Sequence, residues 1–300
     1  MAGNLQYSWR IQLHLSGEFI TGVVQHMSKT LKHFLRQVVG NSDSNDSNSY
    51  PVKISARDFE NEELPDGGGV ETFDSPEAAA LNKARLDHLD SLDLDLKGKR
   101  VLDVGCGVGH LANFFVKKGC DVVCVDGRAE NINKLHSIYP NLTAYQITNV
   151  ETDSLSKFGR FDVVFCYGLL YHTENPVAAL RNMASVCEGL LLLETMICDS
   201  NLPVVRLEDE TKTYSQALSG LGCRPSPSFV TLALNRVGFK HVYGPKVEPQ
   251  HHEFKFEWQN SLRAWQDGPM RAIFIASRTP LENRNLYSLL NTNKWYLTPS

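Results

Sequence analysis

One stretch, residues 101–126, limits what this chain can fold into: VLDVGCGVGHLANFFVKKGCDVVCVD. Val101 to Val104 reads as a short apolar strand. Gly105, Gly107 and Gly109 then place a turn where backbone can bend sharply and a ligand can approach with no Cβ in the way. An amphipathic helix is predicted from about His110 to Lys118, and a second apolar strand, Val122 to Val125, ends on Asp126. This is a β-turn-α-β unit with an acid closing its second strand, the outline of a fold that holds a nucleoside across strand tips. Asp126, followed by Gly127, is placed to accept hydrogen bonds from ribose hydroxyls.

The glycine spacing separates two kinds of nucleoside. A dinucleotide turn spaces its glycines G-x-G-x-x-G and offers its free donors to a pyrophosphate. Here the spacing is G-x-G-x-G, and Asp103 precedes it. That acid would repel a diphosphate but suits an ammonium group beside a sulfonium. The run Asp103-x-Gly105-Cys106-Gly107-x-Gly109, with Asp126 closing the next strand, resembles the S-adenosylmethionine site of a class I methyltransferase. The alternatives are a nicotinamide site and a purely structural turn.

Strand and helix patterns alternate along the rest of the chain. A helix is expected over Ala129 to Ile138, then strands near Leu142–Ile147, Phe161–Cys166, 189–196, Lys240–Tyr243 and Met270–Ser277. Continuous apolar runs such as FDVVFC suit strands covered on both faces. The expected fold is therefore α/β: a Rossmann-like, doubly wound seven-stranded sheet, the class I methyltransferase fold, with an N-terminal helical extension and a lid inserted after the fifth strand. The lid, about 197–224, reads as polar, irregular and long for a connection.

The expected domain plan is an amphipathic helical extension over 1–40, a polar linker over 41–50 (NSDSNDSNS at 41–49) and a pre-core cap over 51–96. The methyltransferase domain covers 97–280, and a tail covers 281–300. Ile20, Val23, Val24, Met27, Leu31, Phe34, Leu35 and Val38 share one helical face, which suits capping of the core or packing in a homo-oligomer. Gly67-Gly68-Gly69 reads as a hinge. Ser75 and Pro76 read as the cap and first position of a helix running to about Leu92.

Composition narrows the partners. The net charge of −4 disfavours nucleic acid as a partner held by bulk charge. The seven cysteines are odd in number and include no C-x-x-C, so reduced thiols in a cytoplasmic protein are expected. No apolar run is long enough for a membrane span and no signal peptide is apparent. The methyltransferase resemblance, with nucleic acid disfavoured by the charge, implies a small-molecule, lipid or glycan acceptor. His251-His252-Glu253 is the one group with metal-ligand chemistry. Neighbouring residues of a strand point to opposite faces, so no metal site is expected there.

The runs GLLYHTENPVAALRNM and GLLLLETM within 168–196, PSPSFVTLALNRVGF at 225–239 and GPMRAIFIASR at 268–278 resemble the tRNA wobble-uridine carboxymethyltransferase family. The resemblance covers roughly 97–279. It implies that Tyr171 and Arg271 would bind the carboxylate of carboxy-S-adenosyl-L-methionine. In the class I methyltransferase pattern that the glycine turn resembles, the loop of Asn149 and Val150 would meet the adenine, Asn149 by side chain and Val150 by backbone. The carboxymethyltransferase family's lysine before the glycine motif, and its basic RNA-binding front end, find no match in this chain. Plain methyl transfer from S-adenosyl-L-methionine to an O or N is therefore expected, with tRNA carboxymethylation as the alternative. Tyr171 and His172 are the candidate catalytic residues, His172 as a base. Tyr167 at the tip of the fourth strand is a further cofactor candidate, and Glu194 a candidate for holding the acceptor.

Overall fold

A computed structural model describes residues 69–147, 149–210, 215–263 and 268–290, all within the unit Glu63–Ser300. The helix expected over 18–39, the linker 41–50, most of the hinge at 67–69 and the end of the tail lie outside the described residues.

Five strands run parallel: β1 (Arg100–Val104), β2 (Asp121–Asp126), β3 (Thr143–Gln146), β4 (Phe161–Tyr167) and β5 (Cys187–Met196). The ribbon of β6 (Val205–Asp209) and β7 (Leu221–Pro225) stands apart. The main sheet is completed by β8 (His241–Pro245), β9 (Arg271–Ser277) and β10 (Leu286–Ser288), giving the order β10-β8-β9-β5-β4-β1-β2-β3. β9 is antiparallel to both β5 and β8. The chain fills the β1-β2-β3 side first and then crosses to β4, so the order reverses between β1 and β4. In an open α/β sheet that switch point opens a crevice beyond the strand tips, where ligands bind.

Five helices cover the two faces: α1 (Pro76–Ser91), α2 (Ala112–Lys117), α3 (Ala129–Ile138), α4 (Pro176–Val186) and α5 (Pro227–Arg236). Strand side chains alternate between two cores. Leu102, Val104, Val164, Leu191 and Leu193 join Leu180 and Met183 of α4 and Leu234 of α5. Val101, Val163, Phe165 and Leu192 join Leu89 of α1, Phe115 of α2 and Leu135 of α3. The expected start of α1 holds: the Ser75 hydroxyl accepts from the Ala78 N–H at 3.1 Å, and Pro76 follows.

Two departures from the expected architecture have clear causes. The sheet has eight strands instead of seven, because β10 in the segment read as tail pairs along β8 through Leu286–Ser288. The lid is not irregular: β6 and β7 pair from Val205↔Pro225 to Asp209↔Leu221. Their alternation was hidden because Leu207 faces outward at 56% exposure while charged neighbours fill the strand.

Candidate active site

The glycine turn leaves β1 at Val104 and is tied to β2. The N–H groups of Gly105 and Cys106 both donate to the Val125 carbonyl, at 2.8 and 3.2 Å. Gly107 has φ +53°, a conformation that side chains disfavour, and its N–H donates to Asp126 Oδ2 at 2.9 Å. Asp126 Oδ1 accepts from the Arg128 N–H at 2.9 Å and from Asn131 Nδ2 at 3.0 Å. Burial raises the Asp126 pKa against the lowering effect of those bonds. Beneath the turn lies Asp103, only 2% exposed, and its Oδ2 has no hydrogen-bond partner. Burial, reinforced by the charge of Asp126, pushes the Asp103 pKa up to about 8.

A two-lobed cavity opens over this turn. The first lobe is lined by Gly105, Gly107, Asp126, Gly127, Asn149 and Val150, with Ser215, Gln216 and Leu218 of the lid on its other side. The lid is close: Leu218 lies 2.5 Å from where a side chain at Gly127 would begin. The second lobe has a volume of about 550 Å³ and is lined by Cys106, Tyr167, Tyr171, Arg85, Arg224 and Arg271. Gly105, Gly107, Gly168 and His172 belong to both lobes.

At the wall between the lobes, a 3-10 turn over Leu170–His172 brings the rings of Tyr171 and His172 to 4.0 Å between centroids. His172 Nδ1 lies 2.5 Å from Glu210 Oε2, so the ring carries a proton there and donates it to the carboxylate. Glu210 Oε1 accepts from Arg224 at 3.0 Å, and Oε2 also accepts from the Ala217 N–H at 3.0 Å. Burial holds the His172 pKa below its ordinary value, outweighing the upward pull of Glu210. The imidazole is thus neutral at physiological pH, with Nε2 carrying the lone pair a base needs. Arg224 and Arg271 flank the Tyr171 ring, their guanidinium carbons 5.3 and 5.1 Å from its centroid.

Behind Tyr171, Glu194 is fully buried at the end of β5. Its Oε2 accepts from Arg85 at 2.6 Å and its Oε1 from Arg271 at 3.0 Å. Arg271 also pairs with Glu253. Burial alone would raise the Glu194 pKa; the two arginine charges and their hydrogen bonds outweigh it and hold it below the usual value. The Nε of Arg85, the Nε of Arg224 and the Tyr167 hydroxyl, all on residues lining the larger lobe, are buried without partners.

The structure thus brings Gly105, Cys106, Gly107, Asp126, Gly127, Asn149, Val150, Tyr167, Tyr171, His172 and Arg271 to one cavity. Asp103, Gly109 and Glu194 are not among the lining residues of either lobe. Gly109, at φ +85°, faces α3: a Cβ there would lie 2.9 Å from Leu135, so its place in the turn is explained by helix packing. Glu194 is fully buried with both oxygens engaged by arginines, so it supports Arg85 and Arg271 from behind the cavity wall. Asn149 Oδ1 accepts from the Glu151 N–H at 2.7 Å, which fixes the amide and leaves its NH₂ group and a second oxygen lone pair.

Among the cavity residues that the sequence did not single out, three carry charge beside Tyr171 and His172. Arg85 supplies a cation from α1, ahead of the glycine turn, where the expected lysine had no match. Glu210 and Arg224 come from the lid, which carried no motif. The strand argument about His251 and His252 also needs correcting. They sit at the start of a 3-10 turn, not on a strand, and their rings lie 4.3 Å apart on the same side. His251, His252 and Glu253 have ligand atoms within 4.8 Å of one another. However, the Glu253 carboxylate is paired with Arg271, and the charges of Arg271 and Arg85 act on His251, a poor setting for a further cation.

Among the described residues no helix is long and apolar enough to cross a membrane. A family profile described as "Methyltransferase domain" matches residues 77–243. The chain is 37% identical over 122 residues to the ubiquinone biosynthesis O-methyltransferase of Xanthomonas oryzae pv. oryzae (strain PXO99A), covering 39% of this chain and 51% of that protein. It is 33% identical over 157 residues to the tRNA U34 carboxymethyltransferase of Azotobacter vinelandii (strain DJ / ATCC BAA-1303), covering 50% of this chain and 48% of that protein. The chain spans about half the length of the curated relatives it matches. Among solved structures, the N-terminal domain of EvdMO1 in the presence of SAH and D-fucose superposes with a TM-score of 0.52 at 21% identity. That match covers 68% of this chain and 84% of the other, and it bears on the fold. With more than half of its length matched by the family profile, this chain belongs to the methyltransferase-domain family.

Proposed function

We propose that the protein is an S-adenosyl-L-methionine-dependent methyltransferase that methylates an oxygen or nitrogen of a small molecule. The observation that carries this is one continuous cavity joining the glycine turn and Asp126 to a neutral imidazole, His172. The residues fit the donor. Gly105 and Gly107 line the cavity wall, Asp126 would meet the ribose, and the orphaned Asp103 carboxyl lies beneath the turn, where an ammonium group would draw out its ionised form. When bound, S-adenosylmethionine supplies a methyl group on a sulfonium.

This chain's own residues then position the acceptor and move its proton. A hydroxyl acceptor in the larger lobe would lose its proton to His172 Nε2 as its oxygen bonds to the methyl carbon and the sulfonium–methyl bond breaks, leaving S-adenosylhomocysteine; an ammonium acceptor would give its proton to Nε2 first, freeing the lone pair that attacks. Glu210 stabilises the imidazolium that results. Holding the nucleophile in line supplies much of the remaining acceleration. The test is calorimetry with S-adenosylhomocysteine. The wild type is expected to bind, and Asp126→Ala to bind at least tenfold more weakly, equal to about 1.4 kcal/mol. Equal affinities would remove Asp126 from the donor site.

Asp103 adds a proton-linkage prediction. Its pKa of about 8 in the free protein means that it is mostly protonated at neutral pH. An ammonium group nearby favours the ionised form, so binding releases a proton. Affinity for S-adenosylhomocysteine is therefore expected to rise with pH and to level off as the pH passes about 8. The binding enthalpy should vary with the ionisation enthalpy of the buffer, and Asp103→Asn should abolish that variation. Buffer-independent enthalpy in the wild type would separate Asp103 from the donor.

A second reading, tRNA carboxymethyl transfer, is favoured by one arrangement. Arg271, Tyr171 and Arg85 meet on the larger lobe, where guanidinium groups match a carboxylate on the donor. Preference for carboxy-S-adenosyl-L-methionine over S-adenosyl-L-methionine, lost in Arg271→Ala, would establish this reading in place of plain methyl transfer.

A further inference from the structure

We infer that Glu210 is the positioning residue that makes His172 a base, and that the strip of lid covering the donor lobe holds Glu210 in place. The inference rests on the methyl-transfer reading above and adds to it a link between the lobes: the strip that covers the donor lobe also holds the carboxylate that sets the base.

Glu210 follows β6 directly and is well removed in sequence from the Tyr171-His172 turn. Its two oxygens are divided. Oε1 serves Arg224, while Oε2 serves both His172 Nδ1 and the Ala217 N–H. Arg224 alone would neutralise the carboxylate, so the bond to His172 is not needed to bury Glu210. What that bond does is choose a tautomer: a hydrogen on Nδ1 leaves the lone pair on Nε2. The other groups facing His172 are the Tyr171 ring on its own turn, Arg224 of β7 and Arg271 of β9. Among these Glu210 is the acceptor that the ring is bonded to. Gly222 on β7 leaves the space Glu210 occupies, since a Cβ there would lie 2.5 Å from Oε1.

The third contact makes the link to the donor. Ala217 lies between Gln216 and Leu218, two residues that line the lobe over the glycine turn. The same strip is held from below: Arg128 donates to the carbonyls of Gln216 and Ala217 at 3.2 and 3.4 Å. The Arg128 backbone N–H in turn donates to Asp126 Oδ1. A continuous hydrogen-bonded path therefore runs from Asp126 through Arg128, the 216–217 carbonyls and the Ala217 N–H to Glu210 and His172. A nucleoside that engages Asp126 and touches Gln216 acts on both ends of this path.

The experiment is nitrogen-detected NMR of the His172 ring in the full chain, with S-adenosylhomocysteine as the probe and calorimetry on the same samples. In the wild type, the ring should carry its hydrogen on Nδ1, and the probe should shift its signals. In Glu210→Gln, the Nδ1 preference should be lost, the His172 titration should move down by about one unit, and the probe should no longer shift the ring. Affinity for the probe should stay within about threefold. Glu210→Asp, which keeps the charge but draws the carboxylate back from Nδ1, should give the same His172 signature and serves if Glu210→Gln does not fold. A ring whose tautomer and titration are the same in wild type and variant, with the probe bound, overturns the inference. So does a wild-type ring that the bound probe leaves unmoved. Failure of the wild type to bind the probe at all overturns the donor reading instead.

Discussion

Replacing Glu194 with alanine is expected to destabilise the protein by about 3–5 kcal/mol, because it leaves two buried guanidinium groups without their shared carboxylate. Arg85 and Arg271 are each only 6% exposed, so neither can recover its lost bond from bulk water. Arg271 keeps Glu253, while Arg85 keeps only the Asn82 oxygen, at 3.1 Å. Arg85 should therefore be the more disturbed of the two. The measurement is urea unfolding, read as a fall in midpoint with an unchanged slope. Glu194→Gln, which keeps an acceptor for one arginine, should lose less. A variant of wild-type stability with weakened acceptor binding alone would show that Glu194 serves the acceptor and does not clamp the arginines.

Replacing His172 with asparagine is expected to lower turnover by about 10²–10⁴, the usual contribution of a positioned general base. Binding of S-adenosylhomocysteine should change little. Rapid-quench measurement of methyl transfer from labelled S-adenosylmethionine separates the two effects. The wild-type rate should rise with pH as the ring loses its proton and then level off. Because burial lowers the His172 pKa, that rise should be centred below the ordinary value of 6.5. In the asparagine variant this limb should vanish. An unchanged limb would mean that the titrating base is another group.

What could be read from the sequence was local. The glycine turn, the closing Asp126 and the buried runs of β4 and β5 each declare themselves within a few residues, because backbone sterics and strand burial act at short range. The residues that escaped reading act across the chain. Glu210 reaches His172 over a separation of 38 residues, and Arg85 reaches Glu194 over 109. Each is one charge among many until the fold supplies its partner. Glu194 is of the same kind: an acid at a strand tip looks free until two arginines from distant elements occupy it. The histidine pair was misjudged because a strand was assumed where the chain makes a 3-10 turn. Gly109 resembled its neighbours in spacing, and what separates it is that Gly105 and Gly107 line the cavity while Gly109 does not.

The reversed direction of β9 also has a consequence in time. Because that strand runs against β5, its first residue, Arg271, meets the strand tips. It lies 77 residues after Glu194, the carboxylate it completes. At a synthesis rate of about 5–20 residues per second, that separation is roughly 4–15 s on the ribosome. Through that interval the emerging chain already holds the glycine turn, Asp126 and the Tyr171-His172 turn. Glu194 has only Arg85 for company, and Tyr171 lacks one of its two flanking cations. The wall of the larger lobe is thus finished by a late-made strand, well after the residues that would recognise the donor.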